Sequence, residues 1–234
     1  MKLIVAGATG LVGREVIRQS LQNSQVTQVI ALARKPVQVE DDVDSSKLKS
    51  VVISDYEEYP DHVKAEFAGA DACIWTVAVT PFRTGSFDFA EVKRVCHDCT
   101  IAGFKAMYEA GPARPFRFLY FSAEGTPRDP TQRPVFKGDY QVMRCETELM
   151  VLKFPQEYER VEVCIAQPGV VTNSTTWSRA TLGALCRVIN VFWRVFPTID
   201  REELSKAVLN QVMQRFDRER LSNDSLVRLG KPAL

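Results

Sequence analysis

The sequence predicts an α/β protein built on a doubly wound parallel sheet. Two observations predict it. Short, nearly continuous apolar runs alternate with longer segments of helical periodicity, the pattern of successive βαβ units. The first apolar run leads directly into a glycine-rich turn that opens a helix, an arrangement suited to holding phosphate groups. The chain has 234 residues, enough to bury one substantial core. We therefore expect one domain over residues 1–234.

Each element follows from local pattern. Residues 2–6, KLIVA, predict a short buried strand, and the spacing of Val12, Val16, Ile17 and Leu21 predicts a helix over 11–21. QVIALA at 28–33 predicts a second strand, the polar stretch 36–47 a loop, and LKSVVI at 48–53 a third strand. A short helix is expected over 61–67 and a fourth strand over 72–77, followed by a turn-rich loop at 80–86. Residues 87–110 predict one long helix, stopped by Gly111-Pro112. RFLYFS at 117–122 predicts a fifth strand, 124–138 a long irregular loop, and 139–154 a helix. VEVCIAQ at 161–167 predicts a sixth strand closed by Pro168-Gly169, and the remainder is expected to be mostly helical, with 225–229 a candidate last strand. Apolar strands of this kind fit a sheet covered on both faces, wound by right-handed crossovers.

Composition narrows the function. Thirty basic residues against 29 acidic ones give a formal charge of +1, which offers no electrostatic footprint for nucleic acid. The N-terminus has no signal-peptide pattern, and no run of about 18 apolar residues could span a membrane. Two glycosylation sequons, at Asn173 and Asn223, are expected to be chance matches. The six cysteines lie mostly in apolar periodic segments, so we expect buried thiols in a reducing, cytoplasmic setting. The one tight pair, Cys96 and Cys99, lacks the second pair or paired histidines of a zinc site, and we assign no metal.

The glycine turn reads Gly7-Ala8-Thr9-Gly10-Leu11-Val12-Gly13. Gly7 suits the tight turn, Gly10 the close approach of backbone to a pyrophosphate, and Gly13 the packing of helix on strand. The helix N-terminus adds free N–H groups and partial positive charge. The spacing GATGLVG resembles that of extended and atypical short-chain dehydrogenases/reductases, which include NmrA-like and small epimerase-like NAD(P)-binding proteins. The resemblance implies a Rossmann-like fold, with Gly7, Thr9, Gly10, Leu11, Val12 and Gly13 against the cofactor. At the end of the second strand, where NAD-preferring sites place an acid, the chain has Arg34-Lys35, which suits the 2′-phosphate of NADP. The resemblance further implies Asp55 near the adenine, Thr76 and Ala78 along the cofactor, and Pro168 after the sixth strand.

In that family a tyrosine hydroxyl moves the proton, a lysine four residues later acidifies it and holds the ribose, and a serine or threonine binds the substrate oxygen. Tyr140 matches the tyrosine, Arg144 stands at the lysine position, and Ser122 lies at the end of the fifth strand, with Ala123 the competing register. A spacing of four puts Tyr140 and Arg144 on one helix face. Arginine keeps the positive charge but is planar and cannot give up its proton.

The resemblance places a small substrate-side helical region within 169–234. There the apolar segment 182–197 reads first as a packed helix or homo-oligomer face and second as a peripheral membrane helix. Phe82, Phe87 and Trp177, in loops expected at the carboxyl ends of the strands, suit an apolar or aromatic small molecule. Three functions stay open: an NADPH-dependent carbonyl reductase, an NADP-binding sensor or scaffold without turnover, and a redox-neutral isomerase, dehydratase or cyclase.

Overall fold

Seven strands form one parallel sheet in the computed structural model, which describes residues 1–39, 44–173, 197–216 and 218–231. With a separate pair, the described residues hold nine strands: β1 (Lys2–Ala6), β2 (Gln28–Ala33), β3 (Leu48–Val52), β4 (Ala72–Trp75), β5 (Phe116–Phe121), β6 (Val161–Gln167), β7 (Val170–Thr172), β8 (Thr198–Asp200) and β9 (Arg220–Ser222). The main sheet runs β3-β2-β1-β4-β5-β6-β9, and β7 and β8 make a separate parallel pair. In-register pairs such as Val5 with Ala31 and Val5 with Ile74 fix β1 at the centre.

Alternation along each strand feeds two cores. Ile4 and Ala6 join Trp75, Phe118, Phe104 and Phe154 on one face. Leu3 and Val5 join Val16, Ile17, Leu119 and Val208 on the other. The first face is covered by α2 (Asp61–Phe67), α4 (Cys99–Glu109) and α5 (Gly138–Glu157), and the second by α1 (Leu11–Gln22), α6 (Arg201–Met213) and α7 (Asn223–Gly230). The remaining helix, α3 (Phe89–Lys93), precedes α4. Burial on both faces explains why the strands read as apolar runs rather than alternating ones.

The structure corrects several expected boundaries. The long helix expected over 87–110 is α3 and α4 joined by a π turn, Arg94–Asp98. Strand β4 stops at Trp75 because Thr76 turns its hydroxyl onto the carbonyl of Ala6, at 2.7 Å. The candidate strand at 225–229 is helix α7; Ser222 caps it by accepting from the N–H of Ser225, and the strand before it is β9. The β7–β8 pair was not expected, since three-residue strands show no period. The apolar segment 182–196, Trp177 and Cys186 lie outside the described residues. The five cysteines that are described are buried and free. No helix among the described residues is long and apolar enough to cross a membrane.

Candidate cofactor and active site

The strand order reverses between β1 and β4, and open α/β sheets bind ligands at such a reversal, beyond the carboxyl ends of the strands. Gly7 leaves β1 there with φ +80°, the left-handed region that glycine tolerates best. A Cβ on Gly7 would collide with Thr76 Oγ1, and one on Gly13 would collide with the carbonyl oxygen of Gly7. Helix α1 starts at Gly10 with no side-chain cap and no acidic residue in its first turn. Thr9 and Gly10 are exposed, while Leu11 and Val12 are half-buried. Uncapped N–H groups, free of nearby carboxylates, fit the pyrophosphate of a dinucleotide.

Two side chains hold this loop. Thr76 ties it to β1, as described. Tyr56 accepts from the N–H of Gly7 and donates to the carbonyl of Leu32, each at 3.2 Å. Burial pushes the Tyr56 phenol up to about 12, so it stays a neutral strut. Sequence reasoning missed Tyr56; the only available signal was a polar aromatic residue directly after β3, beside the expected Asp55.

Arg34 and Lys35 are exposed at the end of β2, and the charge of Arg34 reaches Tyr56 and Glu91. Asp55 is engaged by Arg94, whose Nη1 lies 2.9 Å from both carboxylate oxygens and 2.8 Å from Glu57, while its Nε donates to Glu91 at 2.7 Å. Burial raises the Asp55 carboxyl, but hydrogen bonding and charge from Arg94 outweigh it and hold the group below its ordinary value. Burial pushes the neighbouring Cys99 thiol up to about 12. Arg94 was also missed, because its partner Asp55 lies 39 residues away in sequence.

The segment after β4 connects this loop to the tyrosine. Thr76 supports the glycine turn, Ala78 is exposed, and Val79 is buried. The Val79 carbonyl accepts from the Tyr140 hydroxyl at 3.0 Å, and its N–H donates to Cys96 Sγ at 3.3 Å. Burial raises the Tyr140 pKa; the positive charge of Arg144 opposes this but does not reverse it. The phenol therefore keeps its proton through neutral pH.

Arg144 is 1% exposed. Its Nη2 donates to the carbonyl of Phe121, and its guanidinium carbon sits 4.9 Å from the centre of the Tyr120 ring. Its Nε and Nη1 have no hydrogen-bond partner. The structure thus places the cation inside the protein, between Tyr140 and the end of β5. Ser122 follows directly, with its Oγ 3.3 Å from Thr126 Oγ1, whose single proton has two acceptors in reach, the carbonyl of Ala123 at 2.8 Å and Gln141 Oε1 at 3.1 Å. Pro168 is buried, and its carbonyl accepts from the N–H of Glu124 at 2.9 Å, which anchors the start of the 123–138 loop.

Comparisons with known proteins fit this architecture. A family model described as NAD(P)H-binding matches residues 7–182, well over half of the chain. The chain belongs to the NAD(P)H-binding family. Its fold is shared by extended short-chain dehydrogenases/reductases, epimerases and dehydratases. Vestitone reductase from alfalfa (Medicago sativa L.) superposes with a TM-score of 0.68 at 16% identity, covering 94% of this chain and 76% of that one. MoeE5, solved with UDP-glucuronic acid and NAD, gives 0.68 at 18% identity, covering 95% and 76%. A curated relative, leucinostatins biosynthesis cluster protein T of Purpureocillium lilacinum, is 31% identical over 125 residues. That match takes in 53% of this chain and 44% of the relative, so the chain spans less than half the length of the relative.

Proposed function

We propose that this protein is an NADPH-dependent reductase of a small apolar or aromatic carbonyl compound. The observation that carries this reading is the position of Tyr140: a buried, protonated phenol joined through Val79 to the strand end that supports the glycine turn. When bound, the reduced nicotinamide supplies the hydride. The glycine turn and the α1 N-terminus hold the pyrophosphate. Arg34 and Lys35 pair with the 2′-phosphate, and Thr76, Ala78 and Pro168 flank the cofactor. Asp55, fixed by Arg94, borders the adenine. Tyr140 turns from the Val79 carbonyl to the substrate oxygen and gives it a proton. Ser122 holds that oxygen. Arg144 stabilises the tyrosinate left behind, acting through its charge from inside the protein rather than as a ligand of the ribose.

A second reading has its own support. The Tyr140 hydroxyl is already spent on Val79, and the lysine position holds a buried arginine. Both features suit an NADP-binding sensor that does not turn over.

A fluorescence titration with NADPH and with NADH, on wild type and on Arg34→Ala/Lys35→Ala, tests the cofactor assignment. The expected result is a preference for NADPH that falls about tenfold or more in the double variant. Equal binding of the two nucleotides by wild type contradicts it. A panel of aromatic aldehydes with NADPH then separates reductase from sensor: carbonyl-dependent oxidation supports the first, tight binding without oxidation the second.

A further inference from the structure

We infer that the substrate of this site carries an anionic group, such as a carboxylate, which Lys137 receives. The inference rests on the reading that Tyr140 marks the substrate site. A cavity of about 220 Å³ opens between the loop before α3 and the start of α5, with Phe87, Phe89 and Val92 on one side and Lys137, Gly138 and Tyr140 on the other. Phe87 and Phe89 stay 42% and 45% exposed, so their rings form apolar walls rather than core. The volume lies below the range of about 300–1,000 Å³ typical of drug-sized ligands, and it suits one or two rings.

Two charged residues line the rim, Lys137 and Asp139. Lys137, a lining residue, is the N-cap of α5 and has left-handed backbone, φ +50°. Among the described residues its ammonium has no ion pair or hydrogen bond. The neighbouring acid, Asp139, is neutralised by Arg133 at 2.7 Å. One unpaired cation thus stands at the rim of an apolar slot, on the same side as the proposed proton donor and three residues before it. A flat ligand with its carbonyl at Tyr140 and an anion at the other end satisfies both.

The test is calorimetric binding of 2-naphthoate and of neutral, nearly isosteric 2-naphthamide to the full chain, with and without NADPH. Wild type is expected to bind naphthoate about fivefold more tightly, the range of a partly exposed charge pair. Lys137→Asn should erase the preference while leaving naphthamide binding unchanged, since asparagine tolerates the left-handed backbone. Lys137→Arg should restore it. Equal binding of the two probes by wild type, binding of neither, or a preference that survives in Lys137→Asn overturns the proposal. A retained, Lys137-dependent preference in a protein that reduces neither 2-naphthaldehyde nor its 6-carboxylate overturns the reductase reading and leaves the anion site standing.

Discussion

The two halves of the site are finished differently. At the glycine turn, the protein leaves its donors open: α1 starts uncapped, with no acid nearby, and Tyr56 and Thr76 brace the loop from behind. At the tyrosine, the protein closes its groups on itself: Tyr140 is bonded to Val79, and Arg144 is bonded to Phe121 and covered by Tyr120. On the proposed reading, the first half is preformed for the cofactor. On the same reading, the second must exchange an internal hydrogen bond for one to substrate, so the proposed chemistry depends on what displaces the Val79 carbonyl.

Changes that break the open half should have the largest effect. Gly13→Ala drives a methyl group into the Gly7 carbonyl and shifts the turn. Nucleotide affinity should fall about 100-fold, as an ångström-scale misplacement does, with the fold retained. Unchanged affinity in a titration would show that the turn does not grip phosphate.

The scaffold behind that half is the next test. The Glu15 side chain is 2% exposed and pairs with Arg18 at 2.5 Å and with Arg201 at 3.3 Å, which fastens α1 to α6. Glu15→Gln should cost about 2 kcal/mol in denaturant unfolding. Burial raises the Glu15 carboxyl, but its hydrogen bonds and the two arginines outweigh this and lower it below 4.5. Its contribution is therefore fully present above 4.5 and lost as pH falls through the lowered folded value. The variant should lose that part of the acid sensitivity; an identical acid profile would show that the pair contributes nothing.

Arg144→Met sharpens the contrast between the halves. Removing a buried cation whose Nε and Nη1 have no hydrogen-bond partner should leave thermal stability unchanged or slightly raised. Turnover should fall about tenfold, one pKa unit of lost support for the tyrosinate. A large drop in stability with full turnover would make Arg144 a structural residue only. The smallest effect expected is on pH. Because the Tyr140 phenol is raised, reduction should stay flat from about pH 6 to about pH 9, and the proton should be lost only above the ordinary tyrosine value of about 10. A decline centred near neutral pH would contradict a proton-loaded Tyr140.

The open half was the more legible in sequence, for a physical reason. A phosphate turn needs a few residues in one contiguous stretch, and the backbone restricts which residues can serve, so GATGLVG announces its place after β1. The closed half is assembled from distant pieces. Tyr140 meets Val79 across 61 residues, and on the cofactor side Arg94 meets Asp55 across 39, at the start of a π turn that an averaged helical period conceals. Arg144 belongs to a residue type that is rarely buried, so its spacing from Tyr140 was readable but its depth was not. The ring of Tyr120 that covers it reads simply as part of an apolar strand.

The most direct test of the account compares NADPH oxidation in wild type and Tyr140→Phe with an aromatic aldehyde, with NADPH affinity measured on both. The account predicts a kcat lowered about 1,000-fold at nearly unchanged affinity, the size of a lost general acid. An undiminished rate in the variant, or a wild type that binds NADPH and never oxidises it, would contradict the assignment of Tyr140 as the proton donor of a reductase.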